Sequence, residues 1–344
     1  MDSNSWLLLE HEDPRHRLPA ALRARDPFGA RDIGWVEQMR PFVRHFCMPG
    51  GFVLDPFAGF GTTLLAAHLE GRRSIGIELD AARAGLARER LRLAHADGAQ
   101  LLSGDLRSLR EQLPPVDLCL TSLPYFGAPA PPDASPQQLY GQTQYEPFLE
   151  QLHEIFRTVR QCMRPGGQVV VMAENLRLDG RFVPLAWDAA RVLAGLFVLR
   201  EERVLLYRRD AAELAPGQWQ SNRSHEYALI AEVRREPLDI AAALALWQEI
   251  QSAGHPALLR GSLARWLAGD RRVVPADMDL KVEFDLVALP ALLQFLVERG
   301  FALRCWQRPL NWPADLSALR ERDYIRAERL VCSGGRLVVD VGWS

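Results

Sequence analysis

Lysine is almost absent from this chain of 344 residues: Lys281 is the only one, so nearly all of the 41 basic residues are arginines. Against 43 acidic residues they leave a formal net charge of −2, which excludes an overall electrostatic claw for a polyanion. Any basic groove must therefore be local, and the arginine excess reads as coding bias rather than as a set of phosphate clamps. Cysteine is sparse too. Cys47, Cys119, Cys162, Cys305 and Cys332 are scattered, odd in number and nowhere arranged as Cys-x-x-Cys. That argues against a disulfide framework or a zinc site and favours reduced thiols in the cytoplasm. No apolar run reaches the ~18–20 residues of a membrane helix. The first seventeen residues, acidic around Glu10, Glu12 and Asp13, do not form a signal peptide, so no membrane partner is expected.

What is present is the balance of a globular protein, 48% hydrophobic and 24% charged, on a length that accommodates two domains. The most informative stretch is Gly51-Phe52-Val53-Leu54-Asp55-Pro56-Phe57-Ala58-Gly59-Phe60-Gly61-Thr62-Thr63. Phe52, Val53 and Leu54 read as a buried strand, the glycines permit a tight turn, and Thr62 and Thr63 open an apolar helix. Such a turn brings backbone N–H groups and a helix N-terminus up to a ligand. It is not a phosphate-gripping loop, because no Lys follows the last Gly. The string Asp55-Pro56-Phe57-x-Gly59-x-Gly61-Thr62-Thr63 resembles the S-adenosylmethionine-binding motif of the DNA amino-methyltransferases.

Residues 1–32 read as loop-rich, and apolar positions from Ile33 to Phe46 recur at helical spacing. The resemblance implies that this helix lines the cofactor pocket. A second strand over 72–80 ends in acids, and Glu78 is placed to accept hydrogen bonds from both ribose hydroxyls. Asp80 is expected to cap a helix over 81–94. Asp105, ending a third strand, is a candidate for the adenine amino group, with a plain turn residue as the alternative. A fourth strand over 116–121, a helix over 146–163, a fifth strand over 168–173 and a helix over 187–196 follow. A late pair, 204–207 and 227–233, fits an antiparallel edge. Strands alternating with helices imply an α/β Rossmann-like sheet with helices on both faces.

Directly after the fourth strand comes Ser122-Leu123-Pro124-Tyr125, which resembles the catalytic Ser/Asp/Asn-Pro-Pro-Tyr motif of the same family. An exocyclic amino group on cytosine or adenine is a poor nucleophile, because its lone pair is delocalised into the ring. In the family reading, the Ser122 side chain and the Leu123 carbonyl accept hydrogen bonds from that NH₂ and aim the lone pair at the methyl donor. Tyr125 stacks on the flipped base, and Leu123 departs from the usual Pro. Ser at the first position leans towards cytosine N4, whereas Asp or Asn leans towards adenine N6. Carbon-5 methylation is disfavoured, because Cys119 lies inside the strand rather than after it. Gln138 to Thr143 and Ser221-Asn222-Arg223-Ser224-His225-Glu226-Tyr227 also look like this family. The implied partner is DNA, with RNA not excluded and a restriction or modification partner admitted.

Residues 236–344 occupy the place where that family carries its DNA reader, yet they resemble something else. Gly261-Ser262 opens a helix, and Asp277-x-Asp279 follows on a strand, a pattern similar to the nucleotidyltransferase fold. Asp340 on a later strand supplies a third carboxylate, and a helix over 286–299 completes the pattern. The resemblance implies a smaller α+β domain in which Asp277, Asp279 and Asp340 hold Mg²⁺ and a nucleoside triphosphate. The expected division is a methyltransferase domain over 1–235 and a nucleotidyltransferase-like domain over 236–344, catalytic in its own right or a degenerate recognition module.

Overall fold

The computed structural model describes residues 3–29, 33–131, 134–208, 224–234, 238–283, 287–305, 308–317, 319, 323–331 and 336–343. Ser221, Asn222, Arg223, Leu286 and Cys332 lie outside the described residues. The chain divides into two compact units, Met1–Val233 and Arg234–Ser344, so the boundary falls two residues before the expected one.

In chain order the first unit contains β1 (Trp6–Leu9), α1 (Ala20–Arg23), α2 (Val36–Phe46), β2 (Phe52–Asp55), α3 (Thr62–Leu69), β3 (Arg73–Glu78), α4 (Ala81–Leu93) and β4 (Ala99–Ser103). It continues with the short α5 (Leu106–Leu109), β5 (Val116–Ser122), α6 (Tyr145–Cys162), β6 (Met163–Ala173), β7 (Leu176–Leu178) and β8 (Arg181–Val183). Then come α7 (Leu185–Leu196), β9 (Val198–Tyr207) and β10 (His225–Glu232). Eight strands form one sheet in the order β1-β9-β10-β6-β5-β2-β3-β4. The run β4-β3-β2-β5-β6 is parallel throughout, and β10 is antiparallel to both β6 and β9.

The central strands are buried on both faces, as a sheet covered by crossover helices requires. Leu118, Leu120, Val170 and Met172 join a core with Phe42 of α2, Leu64 of α3 and Ala87 of α4. The alternate residues Cys119, Val169 and Val171 are equally buried on the other side, and α7 packs against β6, β9 and β10. From β2 the chain winds outward to β3 and β4, then returns to place β5 on the opposite flank of β2. The order thus reverses between β2 and β5, and open α/β sheets bind ligands at that point, beyond the carboxyl ends of the strands.

One expectation is corrected and two are extended. Within the loop-rich residues 1–32, β1 pairs parallel with β9, from Trp6↔Val204 to Leu9↔Tyr207. A four-residue strand in which Leu9 alone is buried is too short to display a period. The late pair does not form the edge, because β10 lies inside the sheet and β1 outside β9. Arg164-Pro165-Gly166-Gly167, which follow α6, begin β6 and lengthen the expected fifth strand, and the Gly166 N–H donates to Val233 O at 2.9 Å.

The second unit contains α8 (Ile240–Ser252), β11 (Ala257–Arg260), α9 (Gly261–Leu267), β12 (Met278–Val282), α10 (Ala288–Glu298), β13 (Ala302–Cys305), β14 (Arg308–Leu310), β15 (Tyr324–Leu330) and β16 (Arg336–Trp343). Its six strands form a separate sheet ordered β11-β12-β16-β15-β13-β14. Leu246 and Ile250 of α8 and Leu292, Leu293 and Leu296 of α10 pack on Leu280, Ile325, Val339 and Val341. Among the described residues, no helix is long and apolar enough to cross a membrane.

Candidate active site

The turn after β2 is built from its ends inward. Asp55, 3% exposed, accepts the Phe57 N–H at 3.0 Å and the Thr121 hydroxyl at 2.6 Å, the latter from the neighbouring β5. Burial pushes its carboxyl up to about 6, against the pull of the hydrogen bonds from Thr121 and Phe57. Gly59 and Gly61 have φ of 50° and 75°, the left-handed region in which a Cβ is strained. A Cβ on Gly61 would also meet Leu91 of α4 at 3.3 Å. Arg90, buried at 3% exposure, fastens the turn from behind. It donates to Phe60 O at 3.2 Å, Thr62 Oγ1 at 3.0 Å and His16 O at 2.7 Å.

Glu78 ends β3 opposite this turn. Its Oε2 accepts the Gly59 N–H at 2.9 Å and its Oε1 the Asp80 N–H at 2.9 Å. Burial pushes the carboxyl up to about 7, opposed by the Asp80 N–H and the Arg83 charge. Each oxygen retains acceptor capacity for a ligand hydroxyl. Asp80 caps α4 through the Arg83 N–H at 2.8 Å, as the sequence predicts. Asp105 lines the same cavity but is engaged locally. Its Oδ1 accepts the Arg107 N–H at 2.8 Å and Nε at 2.9 Å, which holds the carboxyl below the usual carboxylate range. The turn-residue reading of Asp105 thus describes its contacts.

Ser122 is the last residue of β5, and Leu123 and Pro124 follow it into the cavity. The Leu123 N–H donates to Met172 O at 3.0 Å, extending the ladder to β6 by one bond. A proline has no such N–H, so the departure at this position has a structural use. The Tyr125 hydroxyl donates to Glu226 Oε1 at 3.2 Å.

One cavity, open to solvent at its mouth, collects these residues. Asp55, Pro56, Phe57, Gly59, Thr62, Thr63, Glu78, Asp105, Ser122, Leu123 and Pro124 all line it, whereas Gly61 and Tyr125 lie outside the lining. Ile33, Gly34 and Met39 form another wall, from α2 and the residues before it.

One wall residue, Arg83, and its partner Asp26 escaped the sequence reading. Arg83 pairs with Asp26 through bonds of 2.9 and 2.8 Å, the two side chains being 5% and 0% exposed. Its guanidinium lies 4.2 Å from the Phe28 ring centroid and 5.3 Å from that of Phe60. An arginine in the first turn of α4 and an aspartate in an N-terminal segment carry no spacing that pairs them.

The second unit brings its predicted carboxylates near one another and then neutralises them. In register across the sheet run Arg260, Asp279, Asp340, Arg326 and Arg304. Arg326 grips Asp340 with both arms of its fork, Nε to Oδ1 at 2.8 Å and Nη2 to Oδ2 at 2.6 Å, and lies 3.7 Å from Asp277. Asp279 packs on Gly261, where a Cβ would sit 1.8 Å from Oδ2. Its carboxyl is pushed up to about 6 by burial and by Asp277 and Asp340. Asp277, Asp279 and Asp340 do not bring ligand atoms within 4.8 Å of one another; among the described residues the grouping that does is Asp13, His16 and Glu37. With its third carboxylate bound to a guanidinium, this arrangement does not fit Mg²⁺ and a triphosphate.

Fold and site together define a class: a Rossmann-like sheet with an antiparallel strand, a glycine turn, a strand-end acid and a ligand cavity at the switch point. Residues 36–89, from α2 into α4, match the family model described as DNA methylase. The chain is 38% identical over 76 residues to YubD of Escherichia coli (strain K12), covering 22% of this chain and 29% of that one. It is 53% identical over 38 residues to the type II methyltransferase M.MthZI of Methanothermobacter thermautotrophicus, covering 11% of each. The chain therefore spans less than a third of the length of either relative. Among solved structures, that of TrmN from Thermus thermophilus aligns with a TM-score of 0.43 and 23% identity, over 60% of this chain and 51% of that one.

Proposed function

We propose that the first unit is an S-adenosylmethionine-dependent methyltransferase acting on the exocyclic amino group of a nucleic-acid base, cytosine N4 or adenine N6 in DNA. The observation that carries the reading is the shared cavity: the glycine turn after β2 and Ser122-Leu123-Pro124 after β5 open into it from adjacent strands. The residues present fit the cofactor. Gly59 and Gly61 leave the turn without Cβ atoms, and the buried Glu78 carboxylate offers acceptors to paired hydroxyls. When bound, S-adenosylmethionine supplies an electrophilic methyl group.

Everything else falls to this chain. Asp55, tied to Phe57 and Thr121, sets the shape of the turn that Pro56 and Phe57 begin. Thr62 and Thr63 open α3, whose N-terminus faces the cavity. Ser122 Oγ and the Leu123 carbonyl accept hydrogen bonds from the base NH₂ and draw its nitrogen out of conjugation. The Leu123 to Met172 bond holds that carbonyl in place, so geometry alone performs this part of the catalysis. With the cofactor bound, the N–CH₃ bond would form as the S–CH₃ bond breaks, S-adenosylhomocysteine would be the leaving group and the extra proton would pass to solvent, with no covalent bond between base and protein. Tyr125 offers a ring on which the extruded base stacks, and Ser122 favours cytosine over adenine.

Nucleoside mass spectrometry of DNA from cells expressing the protein or Tyr125→Ala tests this directly. The expected result is N4-methylcytosine that disappears in the variant; N6-methyladenine would redirect the base assignment. Parallel analysis of RNA tests the polymer. Absence of any variant-sensitive methylated base from both, with a folded protein that binds S-adenosylhomocysteine, would sink the proposal.

A further inference from the structure

Three donors from three separate elements converge on one carboxylate, that of Glu226 near the start of β10. The Tyr125 hydroxyl reaches Oε1 at 3.2 Å, while Gln38 Nε2 and the Tyr207 hydroxyl reach Oε2 at 2.7 and 3.0 Å. An ionised carboxylate can accept all three without presenting a competing donor, and charged acceptors make shorter, stronger bonds than neutral ones. Gln38 belongs to α2 and is 1% exposed. A Cβ on Gly34 would approach its Oε1 at 3.1 Å, and Gly34 lines the cavity. Tyr207 is itself braced edge-on by Trp35, with ring centroids 5.2 Å apart at 90°. Glu226 thus joins the α2 wall of the cavity to the ring that follows Pro124.

We infer that Glu226 is a positioning residue for methyl transfer, holding the Tyr125 ring in one orientation and tying that orientation to the α2 wall. This rests on the reading of Ser122 to Tyr125 as the base-binding motif. Tyr125 is half-buried and follows β5 by three residues, and a bond to its hydroxyl restricts the swing of the ring about its side-chain torsions. A base stacked on a swinging ring presents its amino group in many directions, which lowers the fraction poised for in-line attack. Fixing the hydroxyl removes that freedom. The carboxylate acts through Tyr125 and need not touch the reacting atoms.

Glu226→Gln is close in size but removes the charge: a tyrosine hydroxyl facing the new NH₂ must turn from donor to acceptor, so a charge-assisted bond to a carboxylate becomes a weaker neutral one. The expected result is a fall in kcat of about tenfold or more, with the KM for cofactor within about twofold and the thermal midpoint nearly unchanged. In a Tyr125→Phe background, where the tethered hydroxyl is already gone, the same change should cost about twofold or less, a strongly non-additive cycle. Additive effects, or a Glu226→Gln enzyme with wild-type kcat, would overturn the positioning role. A wild-type protein that binds S-adenosylhomocysteine but methylates neither DNA nor RNA would instead overturn the functional reading. NMR of side-chain-labelled tyrosine then decides the positioning claim separately. A single Tyr125 χ1 rotamer, read from side-chain couplings, that becomes averaged in Glu226→Gln supports it, and identical couplings in the two proteins refute it.

Discussion

The Gly59 N–H donates to Glu78 Oε2 at 2.9 Å, so the glycine turn and the acid ending the next strand form one hydrogen-bonded unit. The turn is thereby held open by a group that also faces the cavity, and any ligand hydroxyl bound by Glu78 is bound by the same carboxylate that shapes the turn. Four consequences for stability and binding can be measured.

The first concerns pH. The Glu78 carboxyl titrates at about 7 in the fold, whereas an unfolded chain titrates its glutamates at about 4.3. Its contribution to stability is therefore greatest below the unfolded value and is lost as pH rises through about 7, because the unfolded chain releases the proton first. The span corresponds to about 4 kcal/mol as an order of magnitude. Urea titrations between pH 4.5 and 8 should show wild type losing stability relative to Glu78→Gln as pH rises. The same variant should bind S-adenosylhomocysteine roughly tenfold or more weakly by calorimetry, having exchanged a charged acceptor for a neutral one.

Leu123→Pro would restore the residue usual in the resembling motif, yet it should not improve the protein. The Met172 carbonyl would lose the N–H now donated to it at 3.0 Å. A cost of about 1–3 kcal/mol follows for leaving that group unpaired, together with a lower kcat as the Leu123 carbonyl loosens. Chemical denaturation and single-turnover methylation would each register the change.

Breaking the Asp26 and Arg83 pair should be far more damaging than its distance from Ser122 suggests. Both side chains are buried, so Asp26→Ala strands a guanidinium between Phe28 and Phe60. The expected loss is about 3–5 kcal/mol, read as a lowered midpoint of unfolding and weaker cofactor binding. Replacing both residues by apolar ones of similar volume should recover most of the stability.

In the second unit, Arg326 already supplies the positive charge that a metal would bring. Titration of wild type with Mn²⁺, followed by water-proton relaxation, should detect no site that depends on Asp279. Arg326→Met should create one, abolished again by adding Asp279→Ala. Metal binding by wild type that is lost in Asp279→Ala would contradict the neutralised arrangement.

Features that depend on short stretches of chain were readable from the sequence. The strand, left-handed glycines and helix start around Asp55 to Thr63 are local requirements of backbone geometry, and the alternation of strands with helices gave the parallel sheet. Asp80 as a cap was likewise a matter of three residues. Features that failed are those in which burial or a distant partner decides. β1 is too short for a pattern, and its pairing with β9 joins the two ends of the first unit. Asp340 reads as a metal ligand until β15 places Arg326 opposite it.

The sequence by itself determined the alternation of strands and helices from β2 to α7, the glycine turn, the acid at residue 78 and the polar residue at 122, because each is encoded within a few neighbours. Tertiary structure alone decided which groups those residues meet. Asp26 and Arg83 are 57 residues apart, and Gln38 and Glu226 are 188 apart. Partners at such separations leave no periodicity in a single chain. They are selected only when burial removes water and obliges each polar group to find another.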